Sequence, residues 1–276
     1  DVTVTPGNAG MSAGGLRCTT ASPVDLDADL FVIGPEVPLV AGLADTLRNQ
    51  GKDVFGPGAD GAQLEGSKAF LKKFLADANV ATAAYGAFTD QEEAVRYLRT
   101  MTPPYVIKTD GLAAGGVLYA GLMVTADGPK LLEYNVRFGD PETEVIIPLA
   151  TERLFDSLRD AARGHLVEGP TFSKKSCATV VLAARGYPQR PELGDVITGL
   201  GRDGQLQEPM DDVMVFHAGT KLNDQQEFVT SGGRVLMVTA LGTSLDDARR
   251  RAYAAAGQIS FDGMVMRTDI AQKGTL

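Results

Sequence analysis

Glu133, Asn135 and Arg137 alternate along Leu131-Leu132-Glu133-Tyr134-Asn135-Val136-Arg137, and alternate residues of a strand face the same way. A carboxylate and a carboxamide at that spacing supply hard oxygen donors of the kind Mg²⁺ takes. Arg137, one step further, can meet a phosphate or a carboxylate with its two-pronged guanidinium. Asp140 and Glu142 add acceptors where the strand would end. Leu132, Tyr134 and Val136 fall on the opposite face, which can bury. The competing reading is a solvated polar face on an edge strand, because Glu-x-Asn-x-Arg is short and degenerate.

Lysines are the second chemical element. Lys108 ends the apolar run Tyr105–Ile107 and leads into Thr109-Asp110-Gly111-Leu112-Ala113-Ala114-Gly115. A lysine before a loop with glycines at 111 and 115 can clamp a phosphate, with loop amides as further donors. The order of glycine and lysine is not that of a Walker A loop. Lys68 follows Ser67 at the start of a helix, where the helix dipole also favours anions. Either lysine alone reads more readily as a solvated charge. Two turns rich in small residues, Thr5-Pro6-Gly7-Asn8-Ala9-Gly10 and Gly34-Pro35-Glu36-Val37-Pro38-Leu39, can cradle a sugar phosphate, though as ordinary loops they need no ligand. Ser231-Gly232-Gly233-Arg234 reads first as a hairpin turn and second as a wall of a site. His217 closes an apolar strand and reads as structural rather than catalytic.

The elements that must position these residues follow from pattern. Asp29–Ile33 is a short apolar strand, Leu39–Gln50 has helical spacing closed by Gly51, and Val54-Phe55 is a second strand. Short strand–turn–helix–strand connections imply a parallel sheet, whose ligands sit at the carboxyl ends of the strands. Ser67 caps a helix through Leu75, and Glu92–Arg99 is helical. Tyr105–Lys108 is a strand, Val117–Thr125 and Lys130–Val136 form a hairpin across Ala126–Pro129, and Glu152–Arg163 is helical. From about Ser176 the texture changes to strands and glycine turns: Cys177–Ala183, Asp195–Ile197, Val213–His217, Phe228-Val229 and Arg234–Leu241. With one helix, Leu245–Ala256, they make a separate α+β domain that is mostly β.

The formal charge of −9 argues against whole-protein attraction for nucleic acid. No apolar run is long enough to cross a bilayer, and Asp1-Val2-Thr3-Val4 carries no signal-peptide pattern. The absence of an initiator Met implies a true N-terminus upstream. Cys18 and Cys177 stand far apart, so a reducing cytoplasm fits better than a disulfide framework. His165 and His217 are too few for a histidine-rich metal site, which leaves the chemistry to carboxylates, lysines and backbone.

Taken in order, Pro6-Gly7-Asn8-Ala9-Gly10, Gly34-Pro35-Glu36-Val37-Pro38-Leu39, Glu65-Gly66-Ser67-Lys68-Ala69-Phe70 and Ile107–Gly115 closely resemble the phosphoribosylamine–glycine ligase family. Glu133–Glu142 resembles the family's metal-binding strand, and Thr230–Leu236 its C-terminal domain. The resemblance implies a multidomain α/β and α+β protein. Its parts would be a Rossmann-like N-terminal substrate domain (1–62), an ATP-grasp core (63–165) and a C-terminal domain (166–276). It implies ATP contacts from Lys68, Lys108, Gly111 and Gly115, and Mg²⁺ or Mn²⁺ held by Glu133 and Asn135. Arg137, Asp140 and Glu142 would line the acyl-phosphate site. Phosphoribosylamine would lie against Gly7, Asn8, Gly10, Gly34, Pro35 and Glu36. The partners implied are small molecules, with no nucleic acid or membrane; a cytoplasmic location is expected, and the oligomeric state stays open with a monomer favoured.

Three gaps accompany the resemblance. Nothing precedes Asp1 where the family has a glycine-rich strand–turn, a connecting helix is missing between Thr20 and Asp27, and Gly115 passes directly to a strand found far downstream in the family. The ATP lid and part of the central sheet would lie in that last gap. The sequence therefore reads as the ordered segments of a longer protein joined across gaps. Glu144 stands where the family has Gln, and Ala271 where it has Gly. The alternatives are another ATP-grasp carboxylate–amine ligase, or a non-catalytic nucleotide-binding module if the lid is truly absent.

Overall fold

Asn8 starts the first helix. The structure, a computed structural model, describes residues 1–82, 90–98, 100, 119–125, 128–135 and 137–272. The chain divides into two compact units, one of Asp1–Leu26, Asp140–Leu154 and Pro170–Leu276, the other of Asp27–Gly139 and Phe155–Gly169. In the first unit β1 (Thr3–Val4) pairs parallel with β2 (Arg17–Cys18) across α1 (Ala9–Ala13). The Asn8 side-chain oxygen accepts from the Met11 amide at 2.9 Å, and this cap draws Ala9 and Gly10, expected in a turn, into helix.

The second unit opens with β3 (Phe31–Val32), α2 (Glu36–Val40), α3 (Leu43–Asn49) and β4 (Val54–Phe55). β3 and β4 pair in parallel, so the parallel pairing expected near the N-terminus occurs as two short pairs, one in each unit. The single helix expected over Leu39–Gln50 is corrected to two, because Gly42 takes a left-handed conformation (φ 81°) between them. Glu36–Leu39, expected in a turn, is helical. Its Pro38 falls in the first turn, where amides have no intrahelical acceptor to lose.

α4 (Ala59–Gly66) has no marked pattern in the sequence, whereas α5 (Lys68–Asp77) is the helix expected there, with Ser67 Oγ accepting from the Phe70 amide at 3.0 Å. After α6 (Gln91–Leu98), β5 (Tyr119–Thr125) and β6 (Gly128–Asn135) form the expected antiparallel hairpin. The expected strand Tyr105–Lys108 and the loop through Gly111 and Gly115 lie outside the described residues. Leu39, Ala44, Leu47 and Val54 are fully buried, and Leu71 and Leu75 pack on Leu131.

The chain returns to the first unit through α7 (Thr143–Leu149) and β7 (Ala150–Glu152). α8 (Leu154–Ala162) starts later than expected, since Arg153 has φ 62° and ends the strand first. β8 (Thr171–Phe172) pairs with β7. The remaining elements are β9 (Ser176–Ala183), β10 (Val213–His217), β11 (Thr220–Leu222), β12 (Phe228–Thr230), β13 (Arg234–Gly242) and α9 (Leu245–Ala256). β13 lies between β10 and β9, antiparallel to both. Ala252, Ala255 and Ala256 turn one small-residue face of α9 inward onto the core of Val180, Leu182, Val235 and Val238, and Ala248 on the same helix is also fully buried. The approach is tight, for a Cβ on Gly242 would stand 2.3 Å from the Ala248 amide nitrogen.

Two further expectations are corrected here. Ser231–Arg234 does not turn a hairpin: β12 pairs with β11, while β13 enters the other sheet, and Gly219 and Gly232 pass too closely for side chains at the crossing. Asp195–Ile197 makes only an isolated bridge, Val196 to Val229. Cys18 and Cys177 are both free thiols, as expected. Among the described residues no helix is long and apolar enough to cross a membrane.

Candidate functional site

In the second unit, β6 delivers Glu133 opposite Gly121 and Asn135 opposite Tyr119, two positions apart on one strand. Past its end, Arg137 reaches back to two acids. Its Nη2 lies 3.0 Å from Glu65 Oε1, and its Nε lies 3.8 Å from Glu36 Oε2. Glu65 is only 5% exposed, and a buried carboxylate needs a charge partner of good geometry. Phe138 then stacks at 5.7 Å on Phe55, anchoring the strand exit beside β4.

Elements of the same unit hold the loop after β4. Arg48, in the last turn of α3, donates to the Val54 carbonyl at 3.2 Å and also to that of Gly56. Asp45 accepts from the Ala59 amide at 2.8 Å and so starts α4. That helix carries Ala62, Glu65 and Gly66 inward, and Lys68 opens the helix that follows. The structure thus brings together Glu36 and Arg137 from the expected set. Glu65 carries no signal in the sequence beyond its position before Gly66-Ser67-Lys68.

In the first unit, Asp140 is gripped by Arg234, whose Nη1 donates to the Asp140 carbonyl at 3.0 Å while Nη2 lies 3.1 Å from Oδ2. Glu142 stands at the start of α7, and Glu144 follows in its first turn. Burial pushes the Glu144 carboxyl above its usual range, Asp140 and Glu142 push the same way, and Arg234 opposes. One Glu144 oxygen is buried with no hydrogen-bond partner.

The Pro6–Gly10 turn rests on β10. Asn8 Nδ2 donates to the His217 carbonyl at 2.8 Å, and a Cβ on Gly10 would stand 2.0 Å from His217 Cγ. His217 itself sits 2.8 Å from both the Thr220 hydroxyl (Nδ1) and the Gly204 carbonyl (Nε2), so Nε2 carries the proton. Burial holds its pKa below the usual imidazole value, with the Gly204 contact opposing. The histidine is structural, as its sequence position suggested. Lys108, Gly111 and Gly115 lie outside the described residues. Among the described residues no group of three His, Cys, Asp or Glu side chains is placed to hold a metal ion.

The class comes first from fold. The biotin carboxylase domain of the Hydrogenobacter thermophilus 2-oxoglutarate carboxylase superposes with a TM-score of 0.59 at 12% identity, covering 91% of this chain and 82% of that one. The phosphoribosylglycinamide synthetase ATP-grasp (A) domain matches residues 66–116 and 115–143, so this is an ATP-grasp protein. The same family's N domain matches residues 1–65 and its C domain 177–273. The phosphoribosylamine–glycine ligase of Escherichia coli O157:H7 is 34% identical across 98% of this chain and 91% of its own length. The crystal structure of the Thermotoga maritima phosphoribosylamine–glycine ligase gives a TM-score of 0.76 at 26% identity, over 98% of this chain and 93% of that one. The chain belongs to the phosphoribosylglycinamide synthetase family.

The family's A domain is matched in two pieces that meet at residues 115–116. The alignment with the Escherichia coli O157:H7 relative runs over 397 positions against 276 residues here, leaving at least 121 (397 less 276) without a counterpart in this chain.

Proposed function

We propose that this protein joins glycine to 5-phosphoribosylamine at the expense of ATP, in purine biosynthesis, through a glycyl phosphate intermediate. The observation that carries the reading is the ordered match to all three domains of the family. A glycine carboxylate oxygen attacks the γ-phosphorus, the bond to the β-phosphate oxygen breaks, and ADP leaves. The amine of phosphoribosylamine then attacks the acyl carbon, loses a proton, and expels phosphate. The carboxylate is already ionised at neutral pH, so the first step needs no base. Positioning and charge neutralisation do most of the rest.

Roles are proposed residue by residue. Lys68, Lys108, Gly111 and Gly115 hold the ATP phosphates. Arg137 neutralises the acyl phosphate, with Glu65 and Glu36 fixing the guanidinium's direction. Asp140, oriented by Arg234, and Glu142 take part in the acyl-phosphate step. Phosphoribosylamine lies against Gly7, Asn8 and Gly10. Two hard oxygen donors at alternate positions of β6, Glu133 and Asn135, fit Mg²⁺ or Mn²⁺. When bound, such an ion offsets charge on the transferred phosphoryl group.

ADP release measured with glycine and phosphoribosylamine together, against bicarbonate or formate as acceptors, tests the reading. Release that follows bicarbonate and ignores glycine refutes it in favour of another ATP-grasp ligase. The interrupted A-domain match supports a second reading, a nucleotide-binding module without turnover. An intact mass equal to that of the 276 residues, with no glycine-dependent ADP release, selects it.

A further inference from the structure

A cavity of about 420 Å³ opens in the first unit, lined by Pro6, Gly7, Asn8, Ala9, Ser12, Ala13, Cys18, Arg202 and Leu222. That volume lies within the ~300–1,000 Å³ of small-ligand sites. One wall is the turn and first helical residues read above as a sugar-phosphate cradle, and the opposite rim comes from the C-terminal part of the chain. Arg202 supplies the cavity's one cationic side chain. It is exposed, and it makes no ion pair or side-chain hydrogen bond within the described residues.

The turn itself has little polar capacity to spare. Asn8 spends its oxygen on the Met11 amide and an N–H on the His217 carbonyl, so it builds the wall more than it reads a ligand. Gly7 has φ 74° and a Cβ there would stand 2.5 Å from Cys18 Sγ, so the wall is backbone pressed against a thiol. A small-residue wall, the Ser12 hydroxyl and one guanidinium make a site for a small, neutral, hydroxyl-bearing body with an anionic end.

We propose that Arg202 is the specificity-determining residue for the phosphate of the pentose substrate, which enters this cavity with its phosphate on the guanidinium and its sugar against Gly7 and Ser12. This rests on the ligase reading for the identity of the substrate, and it adds a residue that no motif pointed to. The guanidinium gives two donors in a plane that match phosphate oxygens, which a hydroxyl or a backbone turn cannot replace.

Cys18 makes the test direct, because a ligand in the cavity covers its thiol. Cys177 serves as internal reference: it stands in β9 away from the cavity lining, and burial pushes its pKa up to about 11. The full chain is alkylated with iodoacetamide and each cysteine is quantified by peptide mass, with ribose 5-phosphate, ribose or neither present. Ribose 5-phosphate is expected to slow Cys18 labelling selectively, ribose to leave it unchanged, and Arg202→Ala to remove the protection. In turnover, Arg202→Ala should raise the KM for phosphoribosylamine ~10- to 100-fold with kcat little changed, and Arg202→Lys should recover part of it.

Equal protection by ribose, no protection by ribose 5-phosphate, or undiminished protection in Arg202→Ala overturns the assignment. Glycine-dependent ADP release with Cys18 unprotected sinks this site and leaves the ligase reading standing. Selective protection lost in Arg202→Ala, without any glycine-dependent ADP release, does the reverse.

Discussion

Replacing Arg137 by Met removes the charge that sits 3.0 Å from the buried carboxylate of Glu65. Taking one partner from a buried ion pair costs ~3–5 kcal/mol, because the other charge stays desolvated. Arg137 keeps 19% of its side chain exposed, so water reaches part of the site and the lower end, about 3 kcal/mol, applies. Glu36, at 3.8 Å and 40% exposed, adds less than ~1 kcal/mol. At ~2–4 °C per kcal/mol for a chain of this size, Tm should fall by roughly 6–12 °C.

The reverse change, Glu65→Gln, leaves the guanidinium with Glu36 and some solvent, and should cost only ~1–2 kcal/mol. Urea unfolding of the wild type, both single variants and the double variant closes a cycle, with a coupling of ~1–3 kcal/mol expected. Well below Tm, Arg137→Met should also lose glycine-dependent ADP release while Glu65→Gln keeps part of it. An Arg137→Met protein within ~0.5 kcal/mol of wild type, or additive effects in the double variant, would refute the buried-pair argument.

Three other outcomes are open to measurement. Glu133→Ala should abolish turnover and leave the circular dichroism and urea midpoint unchanged; normal activity would remove this residue from the metal site. Gly10→Ala forces a methyl group into the His217 ring and should cost ~2 kcal/mol of stability by differential scanning fluorimetry, whereas a silent substitution would mean that the Asn8–His217 contact is not kept. Glu144 has a raised carboxyl pKa, chiefly from burial, so the folded state favours its protonated form and stability falls as pH rises from the ordinary carboxylate value to the folded one. Glu144→Gln should therefore stabilise the protein near neutral pH, with the gain vanishing at acid pH, and a pH-independent difference would contradict it.

Legibility in the sequence tracked locality. Ser67 and its helix, the β5–β6 hairpin, β9, β13 and α9 were readable because caps, alternation and helical spacing are short-range signals. The break at Gly42 and the late start of α8 were not, since each depends on one residue adopting a left-handed conformation inside an otherwise continuous pattern. Ser231–Arg234 has the composition of a hairpin turn, yet the pairing partner of β12 is β11, and no local pattern says which strand a neighbour will choose.

The site shows the same division more sharply. Glu133, Asn135 and Arg137 announce themselves by alternation, but Glu65 lies on α4, whose inward face is Ala62, Glu65 and Gly66. Two small residues and an acid make no apolar stripe, so a hydrophobic-period reading passes over the helix altogether. Part of what compensates the burial of Glu65 is the guanidinium that β6 brings to it from far along the chain. Residues that line a site because a distant partner compensates their burial are therefore those that motif spacing misses. The remedy is to begin from an assigned cation such as Arg137 and ask which carboxylates must surround it.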